Sequence, residues 1–416
     1  MLCSKKVMHT VILLFKEILD LRSKSFFFYV YMFFMEERIC KRCGNSNPEY
    51  FYKGGKGWYC RKCISFGRAM LEEECTKEAL SVPQHVENYH LKYPLTPKQL
   101  DITVRCIEEI QKKDVLVHAV CGAGKTEIMV GVIGWFLKRH KKVCFAIARR
   151  QVVLEVAERL QQYFSEAKVI AVCGGHTDVL DGDLIVATCH QLFRYTGQFD
   201  LLILDEPDAF PFRGNEVLFG IAMGACRGHV IYLTATPDAY LQKRCKDGSL
   251  VHLTLYERPH AKPIPVPRIY VGPTLLLLLK LIKWLDIHSK HPRMVFVPSI
   301  RLAESLYRLL LKRGGCYRVT SKQEDRDEIV EKFRKEEHGI IIATTVLERG
   351  VTVPHADVCV YQADSHSFDE AGLVQMAGRA GRAFDDPYGD VLFLCREKSS
   401  MCNRCRKQLL KANDTL

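Results

Sequence analysis

A glycine-rich turn that ends in a lysine and a threonine is the first place where this chain could do chemistry. The sequence VLVHAVCGAGKT at 115–126 runs from an apolar stretch into small residues. Gly122 and Gly124 would let backbone N–H groups approach phosphate oxygens. Lys125 would supply a cation, and the Thr126 hydroxyl would complete a Mg²⁺ shell. We predict an ATP-binding loop here, the alternative being a glycine turn that only caps a helix.

Two adjacent carboxylates follow a second apolar run, LLIL at 201–204. They belong to the sequence Asp-Glu-Pro-Asp at 205–208, which would lie at the carboxyl end of a buried strand, where α/β sheets place their chemistry. Asp205 is predicted to hold Mg²⁺, and Glu206 to orient or deprotonate the attacking water. The alternative for such an acidic turn is a solvated loop.

Two arginines stand three residues apart in the sequence QMAGRAGR at 375–382. We predict a helix start here that presents Arg379 and Arg382 on one face, so that both reach one anionic centre. Such arginines neutralise the charge that grows on a γ-phosphate in the transition state. The alternative is a basic helix face exposed to solvent.

Four cysteines form two closely spaced pairs near the amino terminus. Cys40 and Cys43 precede Cys60 and Cys63 by a glycine-rich stretch, GGKG at 54–57. This spacing is typical of a structural zinc ribbon, whose closed site needs two pairs brought together by a hairpin. A redox pair and an iron–sulfur cluster are the alternatives.

The same short module is rich in aromatic and basic residues. Trp58 and four neighbouring aromatics alternate with lysine and arginine, a mixture that stacks on bases and follows a phosphate backbone. Packing of the aromatics in a small core is the competing interpretation. The whole chain carries a formal net charge of +12, which suits a polyanionic partner.

Length and apolar patterning indicate how these residues are positioned. The 416 residues, 48% of them hydrophobic, can bury two cores and a small appendage. Strand-like and helical runs alternate, for example 143–148 followed by 150–164, which predicts an α/β fold. The second half repeats this pattern, with strands predicted at 294–297, 317–320, 339–343, 357–361 and 391–395. The prolines of 257–273 predict an extended linker between the halves.

The cysteines also indicate the redox environment. Most of the 18 cysteines are scattered through strand-like runs, which predicts core thiols in a reducing compartment. Cys402 and Cys405 form a pair without a second pair beside it, and we expect them at the surface.

The motifs stand in the order and spacing of a superfamily 2 helicase motor of the DEAD-box-like kind, over residues 92–395. They are AVCGAGKT, the acids at 205–208, TAT at 234–236, TTVLERGVTVP at 344–354 and QMAGRAGR. The four-cysteine module, with HQLFRYTGQFDLLILDEPDAFPF at 190–212, resembles the ComFA family of late-competence ATPases from naturally transformable Gram-positive bacteria. Ala119, at the usual first glycine of the loop, and Pro207 depart from the common patterns.

The resemblance implies two RecA-like lobes, each a parallel sheet flanked by helices, with ATP between them and a small amino-terminal zinc ribbon. It places Gln99 on the adenine and Gln375 in the nucleotide site. It also implies a set of contacts to the sugar-phosphate backbone of one strand, namely Arg149, Arg150, Thr188, His190, Ser299, Thr344 and Thr345. Thr234 and Thr236 would couple the two sites.

These considerations give a map of the chain. We expect an apolar extension at 1–34, the zinc module at 35–70, a helical connector at 71–91, lobe 1 at 92–256, the linker at 257–273 and lobe 2 at 274–416. The run SFFFYVYMFF at 25–34 is too short to span a bilayer. Its context also fits a signal peptide poorly. Translation starting at Met35 and a helix on a membrane surface are the two hypotheses for the extension.

The expected function is an ATP-driven motor on single-stranded DNA that supplies force for DNA import. The resemblance implies a cytoplasmic protein, with peripheral attachment at the inner membrane face as an option, and leaves open whether it forms an oligomer. Its implied partners are a ComFC-like protein, a DNA-processing protein and a membrane channel. An RNA helicase, a PriA-like replication-restart helicase and an ATP-gated clamp that assembles partners without moving are the alternatives.

Overall fold

The computed structural model describes residues 38–71, 80–323, 325–347 and 353–414. The chain divides into two compact units, Met1–Glu74 and Cys75–Leu416. The apolar extension predicted at 1–34, and with it both hypotheses for its role, lies outside the described residues. Residues 348–352 of the TTVLERGVTVP motif lie outside them as well.

The first unit contains a small antiparallel sheet, in the order β1-β2-β3. Its strands are β1 (Phe51–Gly54), β2 (Gly57–Cys60) and β3 (Ala69–Met70). The glycine-rich stretch forms the tight turn between β1 and β2, where Gly57 has a φ of 117°. Residues with a side chain rarely adopt this backbone conformation, which explains why a glycine occupies the position.

A seven-stranded parallel sheet in the second unit defines lobe 1. The strand order is β10-β4-β9-β8-β5-β7-β6. The strands are β4 (Asp114–Ala119), β5 (Val143–Ile147), β6 (Val169–Val172), β7 (Leu184–Thr188), β8 (Phe199–Asp205), β9 (Cys226–Thr234) and β10 (Leu250–Leu255). The helices are α1 (Pro97–Glu109), α2 (Lys125–Leu137), α3 (Arg150–Tyr163), α4 (Glu216–Ala225) and α5 (Ala239–Lys246). Every residue of β5 and β7 is buried, as expected for strands covered by helices on both faces.

A six-stranded parallel sheet defines lobe 2, with the order β11-β16-β15-β12-β14-β13. The strands are β11 (Arg268–Val271), β12 (Arg293–Phe296), β13 (Cys316–Val319), β14 (Ile340–Ala343), β15 (Asp357–Tyr361) and β16 (Val391–Cys395). The helices are α6 (Thr274–Ile287), α7 (Ile300–Leu310), α8 (Arg326–Arg334), α9 (Glu370–Ala377) and α10 (Ser400–Asn413). The predicted α/β class is confirmed. No described helix is both long and apolar enough to cross a membrane.

The proline-rich segment is compatible with its prediction, whereas the helical connector is not. The proline-rich segment contains β11, which lies at the edge of the sheet formed by the described residues and pairs with β16. An edge position tolerates nearby prolines because one side of the strand needs no partner. The connector predicted as helical contains no helix over 80–91. There the backbone N–H groups of Ser81 and Gln84 donate to the carboxylates of Asp181 and Asp183, at 2.9 and 2.8 Å.

Cys402 and Cys405 are buried, so the expectation of surface cysteines was wrong. Both lie on the inner face of α10, where they join the hydrophobic core. The Cys402 sulfur lies 3.8 Å from that of Cys395, at the end of β16. The paired spacing therefore reflects the helical period of a core-facing stripe.

Candidate functional site

The glycine-rich turn lies between β4 and α2, at the carboxyl end of the lobe 1 sheet. Gly122 and Gly124 have φ values of 83° and 78°, which residues other than glycine rarely adopt. A Cβ at Gly124 would lie 2.5 Å from the amide nitrogen of Gln99. Any larger residue would therefore disrupt a turn whose N–H groups lead into the amino terminus of α2, the arrangement that binds phosphate.

The side chain of Gln99 holds this turn by a hydrogen bond. Its Nε2 donates to the carbonyl of Ala123 at 2.8 Å, and its Oε1 accepts from the backbone of Thr96 at 2.9 Å. Thr96 and Gln99 thus form a capping box at the start of α1 while holding the turn. Contact between Gln99 and adenine stays a prediction, and the structure gives this amide a role in positioning the loop.

The acids meet the lysine of the turn. Asp205 ends β8, and Glu206 follows it in a left-handed conformation with a φ of 55°. The Nζ of Lys125 lies 3.7 Å from the Glu206 carboxylate. Burial opposes the charge on Lys125, but the carboxylates of Glu206 and Asp205 outweigh it and raise the pKa of the lysine. A cation and two acids therefore lie beside the glycine-rich turn (120–124), which we call the phosphate-binding turn after its expected role.

The last acid of the motif, Asp208, has a structural role. Its buried carboxylate accepts hydrogen bonds from the hydroxyls of Thr234 and Thr236, at 2.5 and 2.6 Å. These hydrogen bonds connect the TAT segment (234–236) to the acidic turn (205–208). The coupling role expected for Thr234 and Thr236 stays a prediction.

The arginines do not stand at a helix start, so that prediction was wrong. Helix α9 ends at Ala377, and Arg379 and Arg382 lie in the turn that follows, which we call the arginine turn (378–382). Gly381 has a φ of 61°, and a Cβ there would lie 2.4 Å from the carbonyl oxygen of Pro387. This glycine therefore lets the arginine turn adopt a left-handed backbone close to Pro387.

Arg379 is not on a solvated basic face, because only 4% of it is exposed. Burial, and then the nearby charge of Arg382, lower the pKa of Arg379 to about 9. The same burial lowers the pKa of Arg382, whose Nε donates to the carbonyl of Gly378 at 2.9 Å. A bound polyanion would reduce the repulsion between these two neighbouring guanidinium groups.

The arginine turn packs directly on the phosphate-binding turn. A Cβ at Gly378 would lie 2.5 Å from the Cβ of Cys121, and the Cys121 thiol donates to Oε1 of Gln375 at 2.9 Å. The Nε2 of Gln375 is buried and has no hydrogen-bond partner among the described residues. A buried donor beside a phosphate-binding turn fits a nucleoside triphosphate, and the hydroxyl of Thr126 and carboxylate of Asp205 are suitable Mg²⁺ ligands.

A groove of about 680 Å³ lies between the lobes. Five of the predicted nucleic-acid contacts line it, namely Arg149, Arg150, His190, Thr344 and Thr345. Arg334 of lobe 2 crosses to Glu155 of lobe 1 at 3.2 Å within this groove. Thr188 and Ser299 do not line it: Thr188 is buried at the end of β7, and the hydroxyl of Ser299 caps α7.

The four cysteines of the first unit converge. Their sulfur atoms all lie within 4.8 Å of one another. Cys40 is 3.9 Å from Cys63, and Cys43 is 3.8 Å from Cys60. A tetrahedral zinc site with Zn–S bonds of about 2.3 Å has sulfur–sulfur edges of about 3.8 Å, so the cluster has the size that zinc requires.

Comparisons with known proteins identify the family. The chain is 34% identical to the competence protein ComFA of Bacillus subtilis over 402 residues, which cover 90% of this chain and 85% of that protein. The ComFA of Streptococcus pneumoniae is also 34% identical, over 90% of each chain. The chain belongs to the ComFA family.

Two family profiles cover the motor of this ComFA-family chain. The type III restriction enzyme res subunit profile matches residues 92–239, and the helicase conserved C-terminal domain profile matches 275–384. Yeast Dbp5 in a complex with RNA and ADP-BeF3 has a similar fold, with a TM-score of 0.60 at 15% identity over 77% of this chain and 92% of that chain. The chain is therefore a competence-associated, helicase-like ATPase with two RecA-like lobes.

Two residues of the site were not predicted from the sequence. Phe210, in the loop after the acids, lines the groove and is 88% exposed, although an isolated aromatic gives no pattern in the sequence. Arg258 contacts both the phosphate-binding turn and the arginine turn. Its position inside a proline-rich segment suggested a linker rather than a site.

Purified protein should contain about one zinc ion per chain, and Cys43→Ser should release it. The reason is that structural zinc contributes on the order of 10 to 16 kcal/mol to the folding of such small modules. Cys245→Ser is the matched control, because Cys245 lies outside the cluster. Metal analysis that finds iron, or no metal under reducing conditions, would contradict the zinc assignment.

Proposed function

We propose that this ComFA-family ATPase moves along single-stranded DNA and supplies force for DNA uptake during natural transformation. The groove between the lobes is the observation that carries this proposal, since both lobes contribute to its walls. Arg149 and Arg150 come from lobe 1, whereas Thr344 and Thr345 come from lobe 2. A change in lobe spacing during ATP hydrolysis would therefore shift one set of strand contacts relative to the other.

The chemistry proposed for the cleft uses the residues already described. Backbone N–H groups of the glycine turn and Lys125 bind the phosphates, while Thr126 and Asp205 would hold Mg²⁺, which would neutralise phosphate charge. Glu206 positions the attacking water and takes its proton. Arg379 and Arg382 then stabilise the charge that develops on the γ-phosphate as it is transferred.

The residues of the groove favour backbone contacts over base recognition. Arginine, histidine and threonine side chains bind phosphates of any sequence, which suits a motor that must pass along unrelated DNA. In the first unit, the guanidinium of Arg38 lies 3.8 Å from the centre of the Trp58 ring, and that of Arg68 lies 5.3 Å from the Tyr59 ring. Paired cations and aromatic rings of this kind stack on single-stranded bases, which supports a DNA-binding role for the zinc module.

Single-stranded DNA should stimulate ATP hydrolysis, and the apparent DNA affinity should fall steeply with salt. Each phosphate neutralised contributes a slope of about −0.7 in log affinity against log salt for single strands. Arg150→Ala should therefore weaken binding and reduce the slope by about 0.7, equally for all base compositions. The measurement is ATPase rate against oligonucleotide concentration at several salt concentrations.

Arg268→Ala is the control for this experiment. Arg268 is an exposed arginine of lobe 2 that pairs with Asp390 and does not line the groove. Its replacement removes the same charge and should leave the salt slope unchanged. Stronger stimulation by RNA or duplex DNA than by single strands would favour the helicase alternatives instead.

A further inference from the structure

The side chain of Arg258 joins two segments of the nucleotide site. Only 1% of the residue is exposed. Its Nε donates to the carbonyl of Cys121 at 2.9 Å, on the phosphate-binding turn. The two terminal nitrogens donate to three carbonyls of the arginine turn, those of Gly378 (3.0 Å), Ala380 (2.9 Å) and Gly381 (2.6 Å). One guanidinium thus holds both lobes at the point where they meet.

The guanidinium group of Arg258 is held by close packing and by backbone carbonyls. A Cβ at Gly122 would lie 3.3 Å from Nε of Arg258, so the guanidinium packs over a glycine of the phosphate-binding turn. The hydrogen bonds recorded for Arg258 in the described chain go to backbone carbonyls, none to a carboxylate. Burying a cation without an acid is costly, and a planar guanidinium with five donors is suited to hold several carbonyls at once.

We propose that Arg258 is a positioning residue that fixes the arginine turn against the phosphate-binding turn, so that Arg379 reaches the γ-phosphate only while this connection is made. The proposal rests on the role proposed above for Arg379. Because the bonded carbonyls belong to different lobes, Arg258 must release one group of them when the lobes separate. Through Arg258, closure of the cleft between the lobes and placement of Arg379 at the γ-phosphate therefore occur together.

Arg293 provides a matched comparison. It is also a buried arginine, 7% exposed, that donates to backbone carbonyls. Both carbonyls, those of Leu285 and His338, belong to lobe 2. Loss of Arg293 contacts therefore affects the packing of one lobe, whereas loss of Arg258 contacts affects the alignment of two.

The test compares Arg258→Ala, Arg258→Lys, Arg379→Ala and the double variant Arg258→Ala/Arg379→Ala. We expect Arg258→Ala to lower kcat by about 10- to 100-fold, the usual effect of misplacing a catalytic group by about 1 Å, with a much smaller loss of ADP affinity. Arg258→Lys keeps the charge but cannot reach all four carbonyls, so it should not restore kcat. Arg293→Lys should lower the melting temperature without lowering kcat.

The double variant separates this proposal from the proposed function. If Arg258 acts through Arg379, the double variant should be no slower than Arg379→Ala alone, because residues acting as a unit are not additive. Multiplied effects, or wild-type kcat in a folded Arg258→Lys protein, would overturn the role of Arg258 alone. Wild-type kcat in Arg379→Ala would remove the catalytic role of Arg379 on which this inference rests. Should Arg258→Ala fail to fold, the lysine variant carries the comparison.

Discussion

Glu206→Gln should abolish ATP turnover while nucleotide binding is kept, and Lys125→Ala should abolish both. The amide of glutamine preserves the size of Glu206 but cannot accept a proton from water, and loss of a general base lowers kcat by about 10²- to 10⁴-fold. Lys125 lies at the first position of α2, beside the phosphate-binding turn. Its removal takes away the cation that is expected to bind the phosphates and that interacts with the Glu206 and Asp205 carboxylates.

Turnover and binding must be measured separately in these two variants. Steady-state phosphate release gives kcat, and titration with a fluorescent ADP analogue gives affinity. Lys113→Ala is the control, since Lys113 precedes β4 at the opposite end of that strand and its Nζ donates to the carbonyl of Gly248 at 3.0 Å. Full turnover in either site variant would show that the site has been misassigned.

Arg379→Ala should lower kcat by roughly 10³-fold or more, as for arginines that act in phosphoryl transfer generally. The affinity for ADP should change little, because the guanidinium interacts with charge that develops only in the transition state. Arg382→Ala should have a smaller effect of the same kind. Its Nε is engaged with the carbonyl of Gly378, so part of its role is to shape the turn.

Single-turnover hydrolysis at saturating ATP is the measurement for the two arginines, because it removes product release from the rate. Arg379→Lys should not restore activity, since an ammonium cannot reproduce the planar fork of a guanidinium. Wild-type rates in both Arg379→Ala and Arg382→Ala would contradict the assignment.

The sequence predicted those parts of the site that local rules determine. Glycines with a left-handed backbone, a lysine at the amino end of a helix and acids at the end of a buried strand each have a short-range physical reason. The phosphate-binding turn, the acidic turn and the cysteine pairs therefore lie in the structure where their spacing placed them. The five strands predicted in lobe 2 appear within one residue at each end.

The features that were missed depend on distant contacts. Arg258 becomes part of the site only because its segment passes between Cys121 and the arginine turn. Cys402 and Cys405 are buried because α10 packs on the rest of lobe 2, which a two-cysteine spacing does not reveal. The arginine turn begins where α9 ends, and the close approach of Gly381 to Pro387 within this segment is a tertiary contact.

Displacement of streptavidin from biotinylated single-stranded DNA tests the central claim most directly, because only a moving protein can push the bound streptavidin from the strand. We predict ATP-dependent displacement from one end of the strand and its loss in Glu206→Gln, which should still bind DNA. An identical RNA strand should be cleared more slowly. ATP-dependent DNA binding and hydrolysis with no displacement from either end would contradict the motor and leave an ATP-gated clamp.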